Sequence, residues 1–120
     1  MIHIAALNQI GLLFSEKSNR GLVFYLDNIA KGRPTSQSST HHGAAASRAA
    51  DGNNNPVFVG LSCTHTEMEV PWWQVDLERE EEVLEVKITN RQESHGRLKK
   101  LHVYIGNNGD DGPSNKEYVI

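Results

Sequence analysis

Few residues of this 120-residue chain are of types that do chemistry, and their spacing excludes most reactions. Cys63-Thr64-His65 puts one thiol and one imidazole close together, too few ligands for a four-coordinate zinc site. The Glu78-Arg79-Glu80-Glu81-Glu82 run reads as a solvated turn. In the Arg91-to-Gly96 loop Glu93 is the one carboxylate, whereas a glycosidase needs two, set across the sugar at a fixed separation. No activated nucleophile and no phosphate-cradling glycine loop accompanies them. The chain reads as a binding protein and not an enzyme. Asp51-Gly52-Asn53-Asn54-Asn55-Pro56 concentrates residues that tolerate tight turns and bond backbone groups through their side chains.

Composition narrows the partners. A net charge of −3, with Lys99-Lys100 the one adjacent basic pair, supplies no field for gathering phosphates, so nucleic acid is excluded. With 38% hydrophobic and 22% charged residues the chain suits one soluble globular unit. Cys63 is the only cysteine, so it is either a small buried apolar residue or bonded to a partner outside this chain. The apolar start, Ile2 to Leu7 and Ile10 to Phe14, is broken by Asn8-Gln9 and has no basic lead. It matches a signal peptide poorly and is too short to span a bilayer, so no transmembrane segment is expected. No Asn-x-Ser/Thr sequon occurs.

The elements that position these residues are strands. Trp73, Val75 and Leu77 alternate with polar neighbours, as do Leu84, Val86 and Ile88, and Leu101, Val103 and Ile105. Gly21 to Leu26 reads as a further strand, Ser15 to Asn19 as a polar turn, and Thr35 to Gly43 as a loop. Ala44 to Ala50 suits a helical turn. Pro71 introduces a strand at Trp72-Trp73, whose rings are expected in core and interface packing. The chain divides near Leu26-Asp27 into an N-terminal extension, residues 1–27, of unspecified fold, and a domain over residues 28–120. From Asn28 onward five or six strands can be counted, short of the eight or so of a jelly roll. Either residues 1–27 supply the remainder or the sandwich lacks its C-terminal strands.

Five ordered blocks carry a resemblance: Asn28-Ile29-Ala30-Lys31-Gly32-Arg33-Pro34-Thr35-Ser36-Gln37-Ser38-Ser39-Thr40, Ser47-Arg48-Ala49-Ala50-Asp51-Gly52-Asn53, Ser62-Cys63-Thr64-His65-Thr66, Pro71-Trp72-Trp73-Gln74-Val75-Asp76-Leu77 and Thr89-Asn90-Arg91. Together they resemble the F-type lectins, or fucolectins, from Asn28 to Gly106. The resemblance implies an all-β fold, a discoidin-like jelly-roll β-sandwich related to the coagulation-factor C-type domains. It implies fucosylated glycans as partners, an extracellular, innate-immune setting, and homo-oligomers as a source of multivalency.

Residue by residue, the resemblance makes His65, Arg91 and Arg97 the trio that grips the fucose oxygens. Phe58 becomes the apolar wall for the sugar methyl, and His41 (with His42) the bordering loop. The chemistry suits the residue types. Arg offers fixed N–H donors and no acceptor, while a neutral His both donates and accepts, which matches a hydroxyl that must also give its proton away. This chain departs from the pattern: His65 and Arg91 are 26 positions apart and Arg91 and Arg97 are 6, each one fewer than in the family. Glu93 stands where the family has Asp, and the family's adjacent cysteines are replaced by Ser94-His95.

The resemblance also implies structural calcium, held by the Arg48 carbonyl, Asp51, Asn53 and Ser62. Asp51 and Ser62 keep the family spacing of 11. Oxygen ligands on a rigid turn suit a hard cation, which takes six to eight. The family's C-terminal Cys-Glu pair has no counterpart before Ile120, so weakened binding is expected, and a metal-independent Asx turn is the alternative. The competing reading of the whole chain is a discoidin-like domain that binds a protein or lipid surface through a degenerate sugar site.

Overall fold

A computed structural model describes residues 2–5, 10–20, 23–53, 55–57, 61, 63–67, 70–81, 83, 85–93, 96, 101–107 and 116–119. Eight strands lie among them: β1 (Ile2–Ala5), β2 (Ile10–Arg20), β3 (Val23–Asp27), β4 (Thr35–Gln37), β5 (Trp72–Val75), β6 (Glu85–Asn90), β7 (His102–Ile105) and β8 (Lys116–Val119). One 3-10 helix, Ala46–Ala50, separates β4 from β5. The strands form a five-stranded sheet in the order β4-β5-β1-β7-β8 and a three-stranded sheet in the order β3-β2-β6.

Alternation in the sequence becomes a core between these sheets. Trp73 and Val75 of β5, Leu77, Val103 of β7 and Leu101 are buried together with Ile29, Ala30, Ala49 and Ala50. Val86 and Ile88 of β6 pack against this cluster from the second sheet, while Glu85 and Lys87, which alternate with them, are exposed. That is the period-2 pattern of a strand with one face inward. The fold is an all-β, discoidin-like sandwich. Trp73 lies 1% exposed, and its indole Nε1–H donates to the Ala46 carbonyl at 2.9 Å, tying the core to the 3-10 helix. Trp72 is only half-buried.

Residues 1–27, set apart by the sequence reading, contribute three strands. β1 lies between β5 and β7, with Ile4 opposite both Trp73 and Val103. Two expectations from local sequence need correction. Ser15 to Asn19 is not a turn but part of β2, whose first half pairs with β6 and whose second half pairs with β3. Thr35 to Gln37, expected in a loop, is a short edge strand with Thr35 opposite Val75 and Gln37 opposite Trp73. In both places an adjacent strand satisfies the backbone groups and overrides a weak local preference.

Candidate functional site

The 3-10 helix delivers the chain into the Asp51 turn. Its last carbonyl, on Ala50, accepts from Gly32 N at 2.8 Å, and Gly52 follows in left-handed backbone at φ 86°. From there three side chains in alternate positions bond the backbone two residues ahead. Asp51 Oδ1 accepts from Asn53 N at 2.7 Å, Asn53 Oδ1 from Asn55 N at 3.1 Å, and Asn55 Oδ1 from Val57 N at 3.0 Å. This ladder of Asx turns fixes the path of the segment without a regular element. It holds Asp51 and Asn53, both exposed, on one turn with the Arg48 carbonyl just upstream; Ser62 lies outside the described residues. Among the described residues no three His, Cys, Asp or Glu side chains are placed to hold a metal ion.

The far end of this ladder is a junction. The Cys63 thiol is buried and directed at the carbonyls of Asn55, 3.8 Å away, and Pro56, 4.0 Å away. Its burial, at 1% exposed, is what the reading of Cys63 as a small buried residue expects. The Pro56 carbonyl also accepts from Gln92 N at 2.7 Å. The segment leading to His65 and the loop that follows Arg91 therefore both meet Pro56, the first meeting Asn55 as well.

His65 is 6% exposed, and its Nδ1 is shut away from solvent. The loop 41–44 covers it through two backbone bonds, His41 N to His65 O at 2.8 Å and His65 N to Ala44 O at 3.1 Å. Within that loop Ala44 N donates to His41 O at 3.0 Å, and both central residues have positive φ, His42 at 53° and Gly43 at 65°. Positive φ at both positions is the signature of a type I′ turn, where Gly is at ease and His is tolerated at some strain. The turn gathers three imidazoles. Ring centroids lie 3.9 Å apart for His41 and His42, 4.7 Å for His41 and His65, and 5.6 Å for His42 and His65. Gln37 Nε2 anchors the loop by donating to Thr40 Oγ1 and Ala44 O, at 2.9 and 3.0 Å.

Arg91 follows the last residue of β6 with its side chain 17% exposed, and its Nε–H donates to Glu93 Oε2 at 3.2 Å. Arg97 and Phe58 lie outside the described residues. The structure thus brings His65 and His41 together and ties the Arg91 loop to the turn beside them. Sequence reasoning gave little weight to His42, although the His-Gly pair is itself a turn signal, and it missed Leu61. That residue lies 63% exposed at φ 59°, a large apolar side chain held out to solvent beside the site segment.

A half-buried His41 and an exposed His42 lie over the buried His65, and Arg91 is bonded to Glu93 on the loop after β6; these are groups that can donate to and accept from hydroxyls. A family model described as a NedA-like, galactose-binding domain, of F5/F8 type C, matches residues 48–119. Fucolectin-4 of Anguilla japonica is 41% identical over 98 residues, covering 72% of this chain and 54% of that protein. Fucolectin-6 of the same species is 45% identical over 71 residues, covering 57% and 38%. Fucolectin-2 is 36% identical over 123 residues, covering 92% and 68%. The chain belongs to the F-type lectin family. Membership of a family of lectins agrees with the expectation of a binding domain that is not an enzyme. The Fucolectin-2 alignment covers more than lies from Asn28 onward, so the likeness reaches into residues 1–27, beyond the span read from motifs alone. The chain spans about half the length of the fucolectins it matches first. No solved structure matches it significantly. Among the described residues no helix is long and apolar enough to cross a membrane.

Proposed function

We propose that this chain is a carbohydrate-binding domain that recognises fucose-containing glycans outside the cell. The sugar sits on the rim formed by His65, the 41–44 loop and the loop after β6, with Arg97 and Phe58 completing the site. One observation supports this reading above the others: the Cys63 thiol lies against the Pro56 carbonyl and the Gln92 amide donates to it, so the His65 and Arg91 segments meet at one residue. A site for a neutral sugar needs such fixed donors, because each hydroxyl is bound by direction and not by charge. The fucolectin names of the relatives support fucose as the sugar. Glu93 holds Arg91 as a second-hand contributor, aiming the guanidinium toward the oxygens it would grip.

Calcium stabilises the Asp51 turn in this reading. Asp51, Asn53, the Arg48 carbonyl and Ser62 are hard oxygen donors, as the ion requires. The Asx ladder leaves each carboxylate or amide oxygen a second lone pair, so the hydrogen bonds and the ion are compatible. Homo-oligomers supply the avidity that a small, wet site lacks by itself.

An array of fucosylated and non-fucosylated glycans tests the proposal. Selective retention on fucosides, lost in Arg91→Ala and His65→Ala with folding intact by near-ultraviolet circular dichroism, is the expected result. Retention on a protein or lipid surface that both substitutions leave intact, with no fucoside bound, is the outcome that favours the discoidin-like alternative.

A further inference from the structure

We propose that Ser38, Ser39, Glu67 and Val70 form a second sugar subsite, which takes the neutral pyranose joined to the fucose in a glycan. This subsite rests on the fucose site proposed above and sets which fucosides that site prefers.

The four residues line a cleft of about 220 Å³. Whole small ligands are enclosed in pockets of about 300–1,000 Å³, so a cleft of this size suits a single ring. It adjoins the fucose site through the backbone. His41 N donates to His65 O at 2.8 Å. Two residues before His41 and two after His65, Glu67 N donates to Ser39 Oγ, also at 2.8 Å. The 39–41 and 65–67 segments therefore run side by side in opposite directions. Two residues of chain span at most about 7 Å, so the cleft opens within one ring's reach of the His41–His65 pair.

The lining offers what an uncharged ring needs. Ser38 Oγ accepts from Trp72 N at 3.2 Å, as Ser39 Oγ does from Glu67 N. A hydroxyl that accepts keeps its own hydrogen, so both serines present an O–H donor from a fixed oxygen. Glu67 is exposed, and its carboxylate has two accepting oxygens, which can take hydroxyls from neighbouring ring carbons. Val70 is 82% exposed, a branched apolar side chain held in water beside these polar groups. Its position is fixed from the C-terminal side. Pro71 restricts it to extended backbone, and the next amide, Trp72 N, is the one tied to Ser38. A pyranose has a face of C–H groups, and laying that face on Val70 takes apolar surface of both out of water. Among the described residues the lining has no cationic side chain, so a sulfate or carboxylate on the ring would face Glu67 without a partner. The subsite therefore selects neutral rings.

Titration calorimetry on the full chain tests the subsite with methyl fucoside and a set of neutral fucosyl-galactose disaccharides that differ in linkage. At least one disaccharide should bind about fivefold more tightly than methyl fucoside, a gain the size of one net hydrogen bond. The same disaccharide sulfated on its galactose should lose that gain. Glu67→Ala and Val70→Ser, both at exposed positions, should each bring the preference below about twofold and leave methyl fucoside within about twofold of the parent. Methyl fucoside thus also reports that each variant is folded. A preference that either variant keeps, or that sulfation leaves intact, overturns the subsite. Methyl fucoside bound with no disaccharide preferred counts against the subsite alone. No binding of any of these sugars counts against the fucose site and takes the subsite with it.

Discussion

Glu93 Oε2 accepts a hydrogen bond from Arg91 Nε at 3.2 Å, between residues two apart in the loop that follows β6. Arg91 is mostly covered and Glu93 is 43% exposed, so the pair is worth little to folding, below about 0.5 kcal/mol. In the proposed site its value would lie in aiming the guanidinium. Glu93→Ala should weaken fucoside binding by about three- to tenfold with an unchanged unfolding midpoint. Glu93→Gln, which still accepts, should lose less. Titration calorimetry on the purified chain measures both. Equal losses would mean that the charge, and not the aim, matters.

Trp73 joins the sandwich core to the helix that launches the Asp51 turn. Trp73→Phe keeps most of the apolar surface but strips the Ala46 carbonyl of its donor at 2.9 Å. The bond is part-buried, so losing it costs about 1 kcal/mol, to which a small cavity adds. Urea unfolding should show a lower midpoint with the slope unchanged.

Gly52→Ala should destabilise by about 1–2 kcal/mol, because φ 86° is left-handed backbone that an L side chain resists. The new Cβ would also meet Lys31 Cε at 3.0 Å, but that contact is with a flexible side chain that can swing away. Adding Lys31→Ala should therefore recover almost none of the loss. Thermal unfolding of the single and double variants distinguishes strain from crowding.

Much of this fold was legible because it depends on period-2 burial. Trp73, Val75 and Leu101, Val103 announce their strands, and Asp51 to Pro56 announces its turn, by residue type alone. Thr35 to Gln37 and Ser15 to Asn19 could not be read in that way. Their strand state comes from pairing, with the distant Val75 to Trp73 for the first and, for the second, with the neighbouring β3 over Glu16 to Asn19 and with β6 at Ser15. The site was legible in a different sense. His65 and Arg91 stood out through resemblance, but the junction at Pro56 that links their segments is made of backbone groups and one thiol, which no residue pattern encodes. The role of Glu93 was hidden for a similar reason: as a departure from the family's Asp it reads as a defect until its bond to Arg91 is seen.

The Asp51 turn allows calcium and self-capping to be separated. In Asp51→Asn the side chain keeps an Oδ1 that can accept from Asn53 N, so the Asx ladder survives, while the only carboxylate of the implied ligand set is gone. With a chelator present the parent chain and the variant should unfold at nearly the same temperature. Adding millimolar calcium should raise the parent alone, since a ligand at about five times its dissociation constant stabilises by about 1 kcal/mol. A domain of this size then gains several degrees. Asp51→Ala, which breaks the ladder as well, should fall below both even in chelator. If calcium leaves the parent's unfolding unchanged, the turn is sustained by its own hydrogen bonds and the ion has no part in the fold.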